Sequence, residues 1–175
     1  MRQVVFLRGI NVGKGNRCRP AVIARQLSKL GVINIGAVGT FVVRKNVSES
    51  ALRSAIAKKL PFKCEIMICP AREIIKLATK DPFADQPSDP KITRFVNVLA
   101  KRLRSPPPLP LCLPSDDEWL LKIIAIENRF VLGLYRRQMK AIGYLGKIEK
   151  LLGVPATNRS WNTLQKVTKI LETNG

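Results

Sequence analysis

The sequence predicts an α+β protein whose first half is a βαββαβ unit, followed by a smaller second unit of related type. Three observations predict it. Over roughly the first 70 residues the apolar positions switch between strand and helix periods in the order β-α-β-β-α-β. A run of prolines and turn formers, Asp81-Pro82-Phe83-Ala84-Asp85-Gln86-Pro87-Ser88-Asp89-Pro90, then breaks the pattern. Strand-like and helical runs resume beyond it. The expected domains are therefore residues 1–80, a linker over 81–90, and residues 91–175.

Each element has its own signal. Val4-Val5-Phe6-Leu7 reads as a short buried strand, and the glycine-rich residues 8–16 follow as a loop. Pro20 suits the first turn of a helix, where a missing N–H costs nothing. Ile23, Leu27 and Leu30 recur at helical spacing, and Gly31 is a natural stop. Residues 32–38 and 41–44 read as strands joined near Gly39-Thr40. Ser48 suits the N-cap of a helix with the stripe Leu52, Ile56 and Leu60. Cys64, Ile66 and Ile68 alternate with Lys63, Glu65 and Met67, which predicts a half-buried strand carrying both Cys64 and Cys69.

A short helix is expected over residues 72–78. The second half opens with a strand over 94–99, and Ser105-Pro106-Pro107-Pro108-Leu109-Pro110 is too proline-rich for a helix or a central strand. Residues 120–126 and 130–135 predict a hairpin around Glu127-Asn128-Arg129. Helices over 144–152, stopping at Gly153, and over 163–171 close the chain. The β-linker-ββ-α order of this half echoes part of the first.

Composition narrows the chemistry. Histidine is absent, which excludes Ser-His-Asp and Cys-His nucleophile systems and His-based metal hydrolases. The cysteines at 18, 64, 69 and 112 form no C-x-x-C pair, so neither zinc nor a disulfide framework is expected, and no cofactor or metal is assigned. Asp116-Asp117-Glu118 is the only concentration of acids. Adjacent carboxylates diverge on an extended chain, so a loop or helix-start role is the reading there. No run of about 18 apolar residues spans a membrane, and the start of the chain lacks the regions of a secretory signal. The cytoplasm is the default location.

Charge is the most unusual feature. The net charge is +19, and residues 1–48 hold nine Lys/Arg with no acid at all. Residues 49–90 are nearly balanced, seven basic against six acidic, while residues 120–175 are basic again, ten against three. Such a field attracts polyanions. It is equally compatible with a soluble surface biased toward Lys and Arg.

Two segments are candidate sites. In the loop over residues 8–16, glycines let backbone N–H groups crowd an anion, with Arg8, Asn11, Lys14, Asn16 and Arg17 as phosphate ligands. It is no Walker loop, because only three residues separate Gly9 from Gly13. The bland reading is a tight β-to-α connection. In Arg159-Ser160-Trp161-Asn162-Thr163, Trp161 could stack a base while Arg159, Asn162 and Thr163 at a helix N-terminus hold a phosphate. The alternative puts Asn162 or Thr163 as a helix cap and Trp161 in the core. The basic run Tyr135-Arg136-Arg137-Gln138-Met139-Lys140 reads as solvated strand-end charge. No aromatic pair on the first strand suits an RNA-recognition sheet.

Leu7-Arg8-Gly9-Ile10-Asn11-Val12-Gly13, and Leu152-Gly153-Val154-Pro155-Ala156-Thr157 leading into Trp161-Asn162-Thr163, resemble signatures of the bacterial family of domain of unknown function 1697. The resemblance covers nearly the whole chain and implies two ferredoxin-like subdomains, with no agreed activity. Departures are Val38-Gly39-Thr40 where the family has Ser-Gly-Asn, Ser160 in place of Asn before the tryptophan, and Lys14 between Gly13 and Gly15.

The leading functional expectation is binding of phosphate-bearing ligands, nucleic acid foremost. An enzyme or sensor for a small phosphorylated metabolite, and a protein-interaction module, are the alternatives. Neither an enzymatic role nor an oligomeric state follows from the sequence.

Overall fold

The computed structural model describes residues 1–173. In chain order the elements are β1 (Gln3–Leu7), α1 (Pro20–Gln26), a 3-10 turn (Ser28–Leu30), β2 (Val32–Ile35), β3 (Thr40–Val43), α2 (Glu49–Ala57), β4 (Ile66–Pro70) and α3 (Ala71–Thr79). Then follow β5 (Ile92–Leu99), β6 (Leu111–Leu113), β7 (Leu121–Glu127), β8 (Phe130–Arg136), α4 (Met139–Leu152), β9 (Ala156–Ser160) and α5 (Trp161–Glu172). Helices and two antiparallel sheets make this an α+β fold. Among the described residues no helix is long and apolar enough to cross a membrane.

The chain forms two compact units, one of Met1–Thr79 with the chain from Asn162 on, the other of Lys80–Trp161. The sequence placed the last helix with the second half, but it belongs to the first unit. Its buried Leu164, Val167 and Leu171 form an apolar stripe at helical spacing. The Arg2 guanidinium donates to the carbonyl of Leu171 near its end.

In the first unit the strands lie in the order β2-β3-β1-β4, all neighbours antiparallel. β3 therefore sits between β1 and β2, whose connection runs through α1. Val5 is opposite both Phe41 and Ile68, and the face they share packs against Ile23 and Ala24 of α1 and Leu52 and Ile56 of α2. Ser48 caps α2 as expected, its hydroxyl accepting from the Ala51 N–H at 3.2 Å.

The expectation of a half-buried β4 is corrected. Ile66, Met67, Ile68 and Cys69 are all buried, and so are Val4, Phe6 and Val42 on the face turned away from α1 and α2. α3 packs against β1 and β4, which accounts for part of that cover. Cys64 lies ahead of the strand and Cys69 within it, so the two do not share one element. With both faces covered, the sheet has no open surface on which bases could stack.

The second sheet runs β6-β7-β8-β5-β9. Without β6, its order β7-β8-β5-β9 repeats β2-β3-β1-β4 position for position. The proline-rich segment and the short edge strand β6 stand where the first unit has α1, and α4 stands where it has α2. The parallel extends further, since β4 runs directly into α3 and β9 directly into α5. The repeat legible in the sequence was thus only part of the one present.

Phe95, Leu99, Leu121, Ile123 and Val131 form the core of this unit with Ile148 of α4. Gly133 makes room for it. A Cβ there would lie 2.4 Å from the Lys122 carbonyl oxygen and 2.5 Å from the Phe95 ring. α4 is longer than the expected helix over 144–152, so Met139 and Lys140 of the basic run are helical.

Candidate anion-binding surfaces

The loop between β1 and α1 is built around Asn11. Its backbone adopts φ 54°, a left-handed conformation that asparagine tolerates better than most residues. Its side-chain amide donates to the carbonyls of Cys18 at 2.9 Å and Ala37 at 2.8 Å, and its Oδ1 accepts from the Cys18 N–H at 3.0 Å. The Asn11 N–H donates to the Asn16 carbonyl at 2.7 Å. Asn11 therefore fastens the loop to itself and to the β2–β3 turn. This corrects its assignment as a phosphate ligand: its polar atoms are committed to the backbone.

The cations of this loop are placed differently. Lys14 and Arg17 are exposed and Arg8 is half-buried, while Asn16 is exposed. Arg17 donates to the Gly13 carbonyl, which closes the loop on itself. Cys18 and Cys64 pack against the core of the same unit, and burial raises both thiol pKa values above their ordinary 9.0.

From this loop a basic ridge continues along α1. Pro20, Ile23, Ala24 and Leu27 turn to the core, and that leaves Arg19, Val22, Arg25 and Gln26 on the outer face. Lys29 extends the line in the 3-10 turn. Gly31, left-handed at φ 66°, then brings the chain against the end of β3, where the Arg44 N–H donates to the Gly31 carbonyl at 3.1 Å and the Lys45 N–H to that of Leu30 at 3.3 Å. Arg44 and Lys45 are exposed there. At 1.5 Å per residue, the seven residues of α1 cover about 10 Å. The sequence reading singled out the cations of the loop and missed this ridge, although the spacing of Arg19, Arg25 and Lys29 carries it.

The C-terminal motif is folded otherwise than expected. Residues 156–160 are a strand, β9, paired antiparallel with β5, and α5 starts at Trp161 with Asn162 and Thr163 in its first turn rather than at its cap. Trp161 is 5% exposed, its ring edge-on to Phe83 at 5.1 Å between centroids. Of the two readings of Trp161, the core position is the one observed, and the ring has no face open to a base. Arg159 is also 5% exposed. Its guanidinium donates to Thr157 Oγ1 at 2.8 Å and to the Asn158 carbonyl at 2.7 Å, and burial lowers its pKa to about 10. It remains charged at neutral pH, but it is turned into the protein and not toward a surface phosphate. Asn162 is exposed and Thr163 half-buried.

A second aromatic-cationic cluster was not foreseen. Trp119, half-buried, has the Arg136 guanidinium 4.1 Å and the Lys122 ammonium 4.6 Å from its ring centroid. Arg136 Nε also donates to the Trp119 carbonyl at 2.9 Å. One member of the run Tyr135 to Lys140 is thereby engaged on a ring. The neighbouring acids form a turn, with the Glu118 N–H donating to Ser115 Oγ at 3.3 Å.

Comparison with known proteins gives a consistent picture. A family model described as "Protein of unknown function (DUF1697)" matches residues 1–109. The solved structure of the conserved bacterial protein SP0830 from Streptococcus pneumoniae superposes with a TM-score of 0.57 at 15% identity, covering 98% of each chain. That likeness concerns the fold. No curated protein matches the chain.

Proposed function

The chain belongs to the DUF1697 family, whose description names no activity, and from its own residues we propose that it binds nucleic acid through the phosphate backbone. The observation that carries this reading is the basic amino-terminal segment of the first unit, which precedes every acid in the sequence. Lys14, Arg17, Arg19, Arg25, Lys29, Arg44 and Lys45 are exposed there, and the first acid of the chain is Glu49. Like charges gathered in one segment repel one another, and a bound polyanion relieves that repulsion. Backbone contact also suits a surface without an exposed aromatic on the first unit's sheet, because phosphates need only charge and hydrogen bonds. Sequence preference is then weak.

The test is fluorescence anisotropy with mixed-sequence RNA and DNA oligonucleotides between about 50 and 200 mM salt. Affinity falls along a log–log line whose slope is about −0.9 for each phosphate neutralised on duplex. The combined variant Arg19→Glu, Arg25→Glu, Lys29→Glu weakens binding to all sequences alike and flattens the slope by roughly one for each phosphate no longer neutralised. Absence of binding at the lowest salt removes the proposal.

A further inference from the structure

The second unit holds a cleft of about 540 Å³ lined by its own residues. One wall is the segment after β5, with Lys101, Arg102 and Arg104 exposed, and the other is the turn between α4 and β9. Leu103 and Leu152, half-buried, and the buried Val154 supply apolar surface between them. Among the described residues lining the cleft there is no carboxylate.

Both walls are held by the backbone. The Ala100 N–H donates to the Pro155 carbonyl at 2.8 Å, which ties the basic segment directly to the α4–β9 turn. Behind it, the Leu99 N–H donates to the Arg129 carbonyl at 2.8 Å and Arg129 Nε returns a bond to the Leu99 carbonyl at 2.9 Å. On the other side Gly153, at φ 70°, ends α4. The carboxylate of Glu149 in the last turn accepts from the Ala156 N–H at 2.6 Å, so its Oε1 is turned into the backbone of the connection. The cleft thus has a fixed frame, a concentration of positive charge and an apolar floor.

Each component selects a chemistry. Two guanidinium groups two residues apart present forked donors, the geometry that suits phosphate oxygens, and Lys101 adds a point charge. Three cations in four residues call for a ligand with more than one negative charge. The leucines and valine call for an uncharged body beside it. The volume lies in the range of small-molecule sites. We propose that this cleft binds a phosphate monoester on a nucleotide-sized body, either a free nucleotide or the phosphorylated end of a nucleic-acid chain. The site lies in a different unit from the ridge, and the two proposals fail separately.

The probes are adenosine, adenosine monophosphate, inorganic phosphate, and a dinucleotide with and without a 5′-phosphate, titrated calorimetrically into the full chain at low salt. Adenosine monophosphate binds saturably and adenosine does not. The double variant Arg102→Glu, Arg104→Glu lowers its affinity at least about tenfold, as removal of charge-assisted bonds requires. Leu152→Ala lowers it less. Both arginines are exposed, and an unchanged circular dichroism spectrum certifies the fold of the variant. Arg19→Glu with Arg25→Glu leaves nucleotide binding unchanged while weakening long oligonucleotides. Tighter binding of the 5′-phosphorylated dinucleotide than of the monophosphate assigns the cleft to chain ends, and the reverse assigns it to free nucleotides. Equal affinity for inorganic phosphate and adenosine monophosphate, equal affinity for adenosine, or indifference to the arginine reversal overturns the proposal.

Discussion

Single residues set the corner from which the first unit's loops depart. Gly39 adopts φ 83°, and a Cβ on it would come within 2.7 Å of the Leu7 Cβ and 2.8 Å of an Ile10 methyl. Gly36 has a similar φ of 72° but open space around it. Gly39→Ala therefore costs about 2–4 kcal/mol, from strain and overpacking together, whereas Gly36→Ala costs about 1 kcal/mol. Urea midpoints at unchanged m-value measure both. The cysteines give a pH dependence. Burial holds the Cys18 and Cys64 thiols above 9.0, so the unfolded chain ionises first. Relative to an unperturbed thiol, the folded state is therefore disfavoured once pH rises through the unfolded value near 9, and the loss saturates above the higher folded value. The urea midpoint falls above about pH 9, and by less in Cys64→Ser; alkylation at neutral pH is slower than for a free thiol. Identical midpoint shifts in both proteins would show that the thiol plays no part. Residue types disclosed some of this in advance. Glycine and asparagine marked the turn, but which of two glycines is sterically pinned depends on Leu7 and Ile10 arriving from another strand and its loop.

At the level of elements, local signals were readable and paired ones were not. β1, α2 and the β7–β8 hairpin declare themselves through apolar period, a serine cap and turn residues, all within a few positions. β9 does not. Thr157-Asn158-Arg159-Ser160 has little apolar character, and it becomes a strand because Val96, Asn97 and Val98 of β5 offer the ladder. The short β6 was hidden for the same reason among prolines. The loop before α1 was recognised, but the part Asn11 plays in fastening it was not, because glycine-rich turns and anion cradles share a composition. Its dependence on one amide gives a test. Asn11→Ala removes three side-chain hydrogen bonds to backbone groups and costs on the order of 2 kcal/mol. Amide exchange should quicken over residues 9–18 and at the β2–β3 turn while the strands stay protected; uniform quickening throughout would mean that the loop is no separate unit.

The whole molecule is two versions of one strand order, β2-β3-β1-β4 and β7-β8-β5-β9, with proline-rich chain in the second where α1 lies in the first. The sequence conveyed the α+β class and the first repeat. It conveyed only part of the second, because the replaced helix breaks the correspondence. It also suggested a boundary near residue 80 that leaves the first unit without α5. A fragment of residues 1–80 should accordingly show broad, non-cooperative thermal unfolding, and sharp two-state unfolding of that fragment would make α5 dispensable. The discontinuity bears on biosynthesis as well. At roughly 5–20 residues per second, a ribosome takes on the order of ten seconds to make residues 80–161. Throughout that interval the nascent amino-terminal unit is without its final helix and the stripe of Leu164, Val167 and Leu171 that the helix brings.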